Sequence, residues 1–137
     1  MTTKIVYRGA LRTEATHLRS GAVLPTDAPV DNRGKGECFS PTDLVATALG
    51  SCILTIMGIK ARDRGLDITG SEVQVNKLMS AAPRRIERLE VRIQMRGAFP
   101  SEADRRLLST AVKACPVSRS LHPDIVVDVQ LNWPAPA

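Results

Sequence analysis

Residues 40–65 read SPTDLVATALGSCILTIMGIKARDRG, and this stretch decides the fold. Ser40 can cap a helix, Pro41 suits the first helical position, and Asp43 stands where an acid reaches back to the cap. At the other end Lys60, Arg62 and Arg64 favour the negative pole of a helix dipole, and Gly65 can stop the helix in a left-handed conformation. The pattern predicts a helix from Pro41 to about Arg64, a rod of about 36 Å.

Between Asp43 and Lys60 no side chain is charged. Only Thr47, Ser51 and Thr55 are polar, and each hydroxyl can bond back to its own helix. A surface helix would show a polar face here, so this one is expected to be buried on all sides. Its uncharged run is shorter than a bilayer requires, and its ends are charged and capped. Ala46, Gly50 and Gly58 form a smooth stripe on which another helix can approach closely. A chain of 137 residues has little material to surround such a rod. Two chains sharing a pair of these helices in an isologous homodimer would solve the burial problem; a monomer built around one central helix is the alternative.

The rest of the chain supplies strands. Residues 4–8 and roughly 10–18 read as two strands, and residues 21–36 as a short strand with a long loop. Residues 72–78 and the alternating stretch 89–96 follow, then a helix capped at Ser101 with Ala103, Leu107, Leu108, Ala111 and Val112 as its apolar stripe. The last strand, residues 125–131, buries Ile125, Val127, Val129 and Leu131. That order predicts a single α+β domain over residues 1–137 with a largely antiparallel sheet.

Composition narrows the function. The net charge is +5 and the 19 basic residues are scattered, while aromatics are limited to Tyr7, Phe39, Phe99 and Trp133. Nucleic-acid binding by stacking would need aromatics interleaved with charge. No nucleic-acid or membrane partner is expected. The N-terminus shows no apolar signal region, which predicts a cytoplasmic protein. Three cysteines are an odd number, ill suited to a structural disulfide framework, and a cytosolic disulfide is usually catalytic or redox-sensing.

The cysteines differ in setting. Cys52 falls about the middle of the apolar helix. Cys115 precedes Pro116, which disfavours helical geometry at Cys115 and can open a short helix through about Leu121. A thiol at that cap faces free N–H groups and a positive dipole end, so electrostatics alone predicts a lowered pKa and the better thiolate at Cys115. Cys38 lies in a loop with no evident partner.

The stretch Phe39-Ser40-Pro41-Thr42-Asp43-Leu44 through Ala48-Leu49-Gly50-Ser51-Cys52, followed by Ala114-Cys115-Pro116-Val117-Ser118, resembles the OsmC/Ohr family, the osmotically inducible and organic hydroperoxide resistance proteins. The resemblance implies an OsmC-like fold, an intertwined homodimer whose long central helices are wrapped by antiparallel or mixed sheets from both chains. It also implies a thiol-dependent peroxidase that reduces organic hydroperoxides, with Cys52 attacking and Cys115 resolving, the reverse of the electrostatic ranking. The family pairs the attacking thiolate with an arginine from the N-terminal strands. By position that arginine resembles Arg12, with Arg8 and Arg19 as further candidates. Peroxidase members orient it with a glutamate at the position of Thr42. Here the acid comes one place later, at Asp43, which helix capping also explains; Glu14 and Glu37 are other candidate partners.

No metal or organic cofactor is expected, only an external dithiol reductant of the lipoyl type. Three other readings compete. A zinc site from His17, His122 and cysteines lacks ligand spacing. A hydrolase using Ser118, His122 and Asp124 lacks nucleophile-elbow glycines, and His122-Pro123-Asp124 suits a turn. A redox-sensing or ligand-binding dimer of the same fold with slow turnover is the third.

Overall fold

The computed structural model describes residues 1–98 and 100–135. The fold is α+β, with two three-stranded sheets and one long helix. The chain forms two compact units, Met1–Val45 and Ala46–Ala137.

In the first unit, strands β1 (Thr3–Gly9), β2 (Arg12–His17) and β3 (Val23–Asp27) pair antiparallel in that order. The β1–β2 hairpin turns through Ala10 and Leu11, both at positive φ. Such tight hairpins need two left-handed residues and usually take glycine or asparagine there. Ala28 N–H donates to the Leu11 carbonyl at 3.2 Å and steadies the turn. Ile5, Ala15 and Leu24 share one ladder row, Tyr7, Thr13 and Thr26 the next on the same face. Ile5, Tyr7 and Leu24 are exposed on it. A 3-10 turn at Val30–Asn32 leads toward the helix start.

Helix α1 runs Pro41–Asp63. Its start is the capping box read from the sequence: Asp43 N–H donates to Ser40 Oγ at 3.1 Å, and Ser40 N–H to Asp43 Oδ2 at 2.8 Å. Its end is a Schellman turn, with Gly65 at φ 66° and Leu66 N–H returning to the Ala61 carbonyl.

In the second unit, β4 (Glu72–Ala81) and β5 (Arg84–Gln94) pair antiparallel, and β6 (Val126–Asn132) joins β5 in parallel. A bulge shifts the register where Leu78 pairs Arg88 and Met79 pairs Ile86. It resets the side-chain phase of β5, so the buried residues run Ile86, then Leu89, Val91 and Ile93. Helix α1 lies on this sheet with its backbone close. A Cβ on Gly50 would come within 3.1 Å of both Val73 Cγ1 and Val75 Cγ2. Three short helices, α2 (Glu102–Ser109), α3 (Ala111–Ala114) and α4 (Pro116–Ser120), connect β5 to β6. Leu108 and Ala111 of the predicted stripe are buried, whereas Ala103 is exposed on the first turn.

All-round burial of α1 does not hold within one chain. Ala46, Leu49, Gly50, Ile53, Met57 and Ala61 are buried, which is one face at helical spacing. Thr47, Ala48, Ser51, Thr55 and Ile59 are exposed on the rest. Small and hydroxyl-bearing residues dominate that side, and Thr55 Oγ1 bonds back to the Ser51 carbonyl as expected.

Candidate active site

The second unit brings the two predicted redox cysteines together. Cys52 stands on α1, three residues past the buried Leu49 and beside the buried Ile53, and is half-buried. Cys115 sits between α3 and α4 with extended backbone, φ −62° and ψ 120°. Pro116 forces that break, and Cys115 caps α4, its sulfur accepting from Ser118 N–H at 3.4 Å. The Cys115 side chain is wholly buried, and its thiol is within hydrogen-bonding reach of the Cys52 thiol. Both are free thiols. Sequence-distant sulfurs in that relation are placed for thiol–disulfide chemistry.

The electrostatic ranking of the two thiols is corrected here. The cap geometry at Cys115 is present, yet its pKa is raised from the ordinary value. Burial is the largest cause, followed by the hydrogen bond with Cys52; the Ser118 N–H pulls the other way and is outweighed. A five-residue helix offers a weak dipole, and a thiolate at a fully buried position loses its water. Cys115 is therefore a protonated thiol at neutral pH, a poor first nucleophile suited to acting second.

The first unit holds a separate charged cluster. Arg12 and Asp27 are ladder partners across β2 and β3. Arg12 Nη2 donates to Asp27 Oδ2 at 3.3 Å and to Glu37 Oε2. Glu37 N–H also donates to Asp27 Oδ2, at 3.0 Å, and Asp27 N–H to the Phe39 carbonyl at 3.1 Å. The Asp27 side chain is fully buried, whereas Glu37 is largely exposed. The Asp27 carboxyl is held below the usual range, chiefly by the Glu37 N–H and then by Arg12, against the opposing effect of burial. The Arg12 guanidinium is in turn pushed up by its bonds to Glu37 and Asp27.

The other sequence candidates lie elsewhere. Glu14 pairs with Arg8 at 2.6 Å on the exposed surface. Asp43 is engaged by the α1 cap, and the Thr42 and Ser40 hydroxyls are 3.2 Å apart. Cys38 is half-buried in the loop. His17 Nδ1 meets Ser20 Oγ at 2.6 Å, and His122 Nδ1 accepts from Asp124 N–H at 3.1 Å, which makes His122-Pro123-Asp124 a turn. Among the described residues no group of three or more His, Cys, Asp or Glu could hold a metal ion. Asp27 was missed as an arginine partner. Its signal was the hairpin register: once Thr16 opposes Val23, Arg12 must oppose Asp27.

The OsmC-like protein family profile matches residues 34–130, a span containing both cysteines of the pair. The chain belongs to the OsmC-like family. A candidate osmotic stress induced and detoxification response protein of Psychrobacter arcticus is 47% identical, with a TM-score of 0.92 and 96% of each chain covered. An organic hydroperoxide resistance protein OsmC of Legionella pneumophila shares the fold at 16% identity, with a TM-score of 0.75, covering 96% of this chain and 97% of its own. An organic hydroperoxide resistance protein of Elizabethkingia anophelis does so at 13% identity and a TM-score of 0.67, with 96% of each chain covered. No curated protein sequence matches. By length and apolarity α1 could pass for a membrane span, but in this OsmC-like protein it is the long helix packed on β4. Arg12 and Asp27 lie before the matched span, while Glu37 falls inside it.

Proposed function

We propose that this OsmC-like protein is a cytoplasmic thiol peroxidase that reduces organic hydroperoxides through a Cys52/Cys115 dithiol–disulfide cycle, in defence against oxidative stress. The observation that carries the reading is the buried Cys115 thiol within hydrogen-bonding reach of Cys52. The names of the fold neighbours, organic hydroperoxide resistance proteins, support the substrate class.

In the proposed cycle the Cys52 thiolate attacks the terminal oxygen of the hydroperoxide. The O–O bond breaks, the alkoxide leaves and takes up a proton as the alcohol, and Cys52 becomes a sulfenic acid. The Cys115 sulfur then attacks Cys52, its proton leaves with the hydroxyl as water, and the disulfide forms. An external dithiol, of the lipoyl type or another small one, reduces it by exchange. Arg12 is the cation proposed to favour the Cys52 thiolate, which a guanidinium can do without losing its own charge. The Asp43 carboxylate, engaged in the helix cap, serves that helix start in this scheme. The apolar residues around Cys52 on α1 favour an alkyl peroxide over hydrogen peroxide, because burial rewards the alkyl tail.

The homodimer belongs to the same proposal. Exposed Ile5, Tyr7 and Leu24 on one face of the first sheet, and Ile59 with Thr47, Ala48, Ser51 and Thr55 on α1, are surfaces that a second copy would cover.

A redox-sensing dimer with slow turnover is the second reading. It is favoured by Thr42, which bears a hydroxyl where the resemblance to peroxidase members of the family implies a glutamate. One assay separates the two: thiols are titrated before and after one equivalent of cumene hydroperoxide, and peroxide loss is then followed with dithiol present. A peroxidase loses the Cys52 and Cys115 thiols, keeps Cys38 titratable, and turns over. A sensor oxidises once and stalls. Loss of no thiol contradicts both.

A further inference from the structure

Arg12 is gripped by two carboxylates of unlike character. Glu37 is largely exposed and held by its flexible side chain, whereas Asp27 is fully buried and fixed by its backbone. Asp27 opposes Arg12 in the β2–β3 ladder, and its N–H bonds the Phe39 carbonyl. Its Oδ2 also receives Glu37 N–H, so one carboxylate ties β2, β3 and the 37–39 loop together.

Two further atoms point the same way. Arg12 Nε and Asp27 Oδ1 are both buried with no hydrogen-bond partner among the described residues. Nε and Nη2 are the edge with which a guanidinium makes a two-armed fork to a carboxylate. Nη2–Oδ2 is the arm already formed, and Nε with Oδ1 are the atoms of the second. The residues just before Arg12, Ala10 and Leu11, hold left-handed backbone that neither prefers. Backbone of that kind persists where surrounding contacts over-determine it, and it gathers at working sites.

We infer that Asp27 is the positioning residue of Arg12, the buried carboxylate that sets where the guanidinium points while Glu37 remains its exchangeable partner. This rests on the peroxidase reading above, in which Arg12 favours the Cys52 thiolate. Asp27 itself touches no reacting atom; it acts through Arg12.

The test uses full-length protein carrying Cys38→Ser and Cys115→Ser, so that Cys52 is the sole thiol. Its alkylation by iodoacetamide is followed between about pH 5 and pH 10, a range that brackets ordinary thiol titration. Asp27→Asn, nearly isosteric, should move the alkylation midpoint upward. In the three-cysteine protein it should lower kcat/KM for cumene hydroperoxide about tenfold or more, the rate equivalent of a lost charge-assisted hydrogen bond. Added to Arg12→Gln, it should move the midpoint no further, because both act through one guanidinium. A purely structural Asp27 would lower thermal stability and leave the midpoint in place, and that result overturns the inference.

Should Asp27→Asn not fold, Glu37→Gln carries the test, since Asp27 is then the remaining carboxylate on Arg12 Nη2. Side-chain nitrogen NMR should show Arg12 Nη groups that rotate slowly at neutral pH and begin to average only as Asp27 protonates. Free rotation at neutral pH overturns the inference. Wild-type protein that consumes no hydroperoxide would remove the peroxidase reading and leave the alkylation and NMR results to decide the role of Asp27 separately.

Discussion

The Cys115 thiol is wholly buried and within hydrogen-bonding reach of the half-buried Cys52 thiol. Burial keeps the first protonated, and exposure leaves the second reachable. In the proposed cycle that asymmetry makes Cys52 the attacking thiol and Cys115 the resolving one.

Removing each thiol should therefore give different failures. Cys52→Ser should abolish hydroperoxide consumption. Cys115→Ser should retain a single turnover and stop at a sulfenic acid that dimedone traps, detected by a mass increase on the Cys52 peptide. Wild-type consumption by Cys52→Ser would refute the assigned roles.

The raised pKa of Cys115 makes stability depend on alkaline pH. The folded state prefers the thiol, so the unfolded chain releases that proton first as pH rises. The contribution is fully present below the unfolded thiol's ordinary value of 9.0 and is lost as pH rises through the folded value. Urea unfolding at increasing pH should show a steeper alkaline decline for wild type than for Cys115→Ser, and parallel declines would contradict the burial argument.

Asp27 carries the opposite sign. Its folded carboxyl titrates below its ordinary value of 3.8, so the stability it lends is present above that value and is lost as pH falls through the folded one. Asp27→Asn should flatten the acid limb of the stability profile measured by thermal unfolding. An unchanged limb would mean that the Glu37 N–H and Arg12 do not hold the carboxylate as drawn.

The two sides of α1 should respond differently to substitution. Ile53→Ala removes a fully buried side chain and should cost about 2–5 kcal/mol in unfolding free energy. Thr55 is exposed within the chain, so Thr55→Arg should leave the chain folded. If that side meets a second copy, Thr55→Arg should lower the light-scattering mass from twice 14.8 kDa, or 29.6 kDa, to 14.8 kDa. A wild-type mass of 14.8 kDa would contradict the homodimer.

Much of this was legible in the sequence, and the reason is locality. The limits of α1, the break at Cys115 and the phase of β6 each depend on residues within one turn or one strand, where capping, proline geometry and alternation act. Three features depended on distant residues. The pairing of Arg12 with Asp27 required the β2–β3 register, and Asp27 carried no local mark of that contact. The phase of β5 required the bulge opposite Leu78 and Met79. The thiol ranking failed because local electrostatics favoured ionised Cys115, while burial, a property of the whole fold, outweighed the cap.

The most direct test is disulfide mapping after oxidation. Full-length protein is treated with one equivalent of cumene hydroperoxide, blocked with iodoacetamide without reductant, digested and examined by mass spectrometry. The predicted result is a Cys52–Cys115 cross-linked peptide with Cys38 recovered alkylated. Recovery of Cys52 and Cys115 as free thiols, or a disulfide joining either of them to Cys38 instead, would contradict the account.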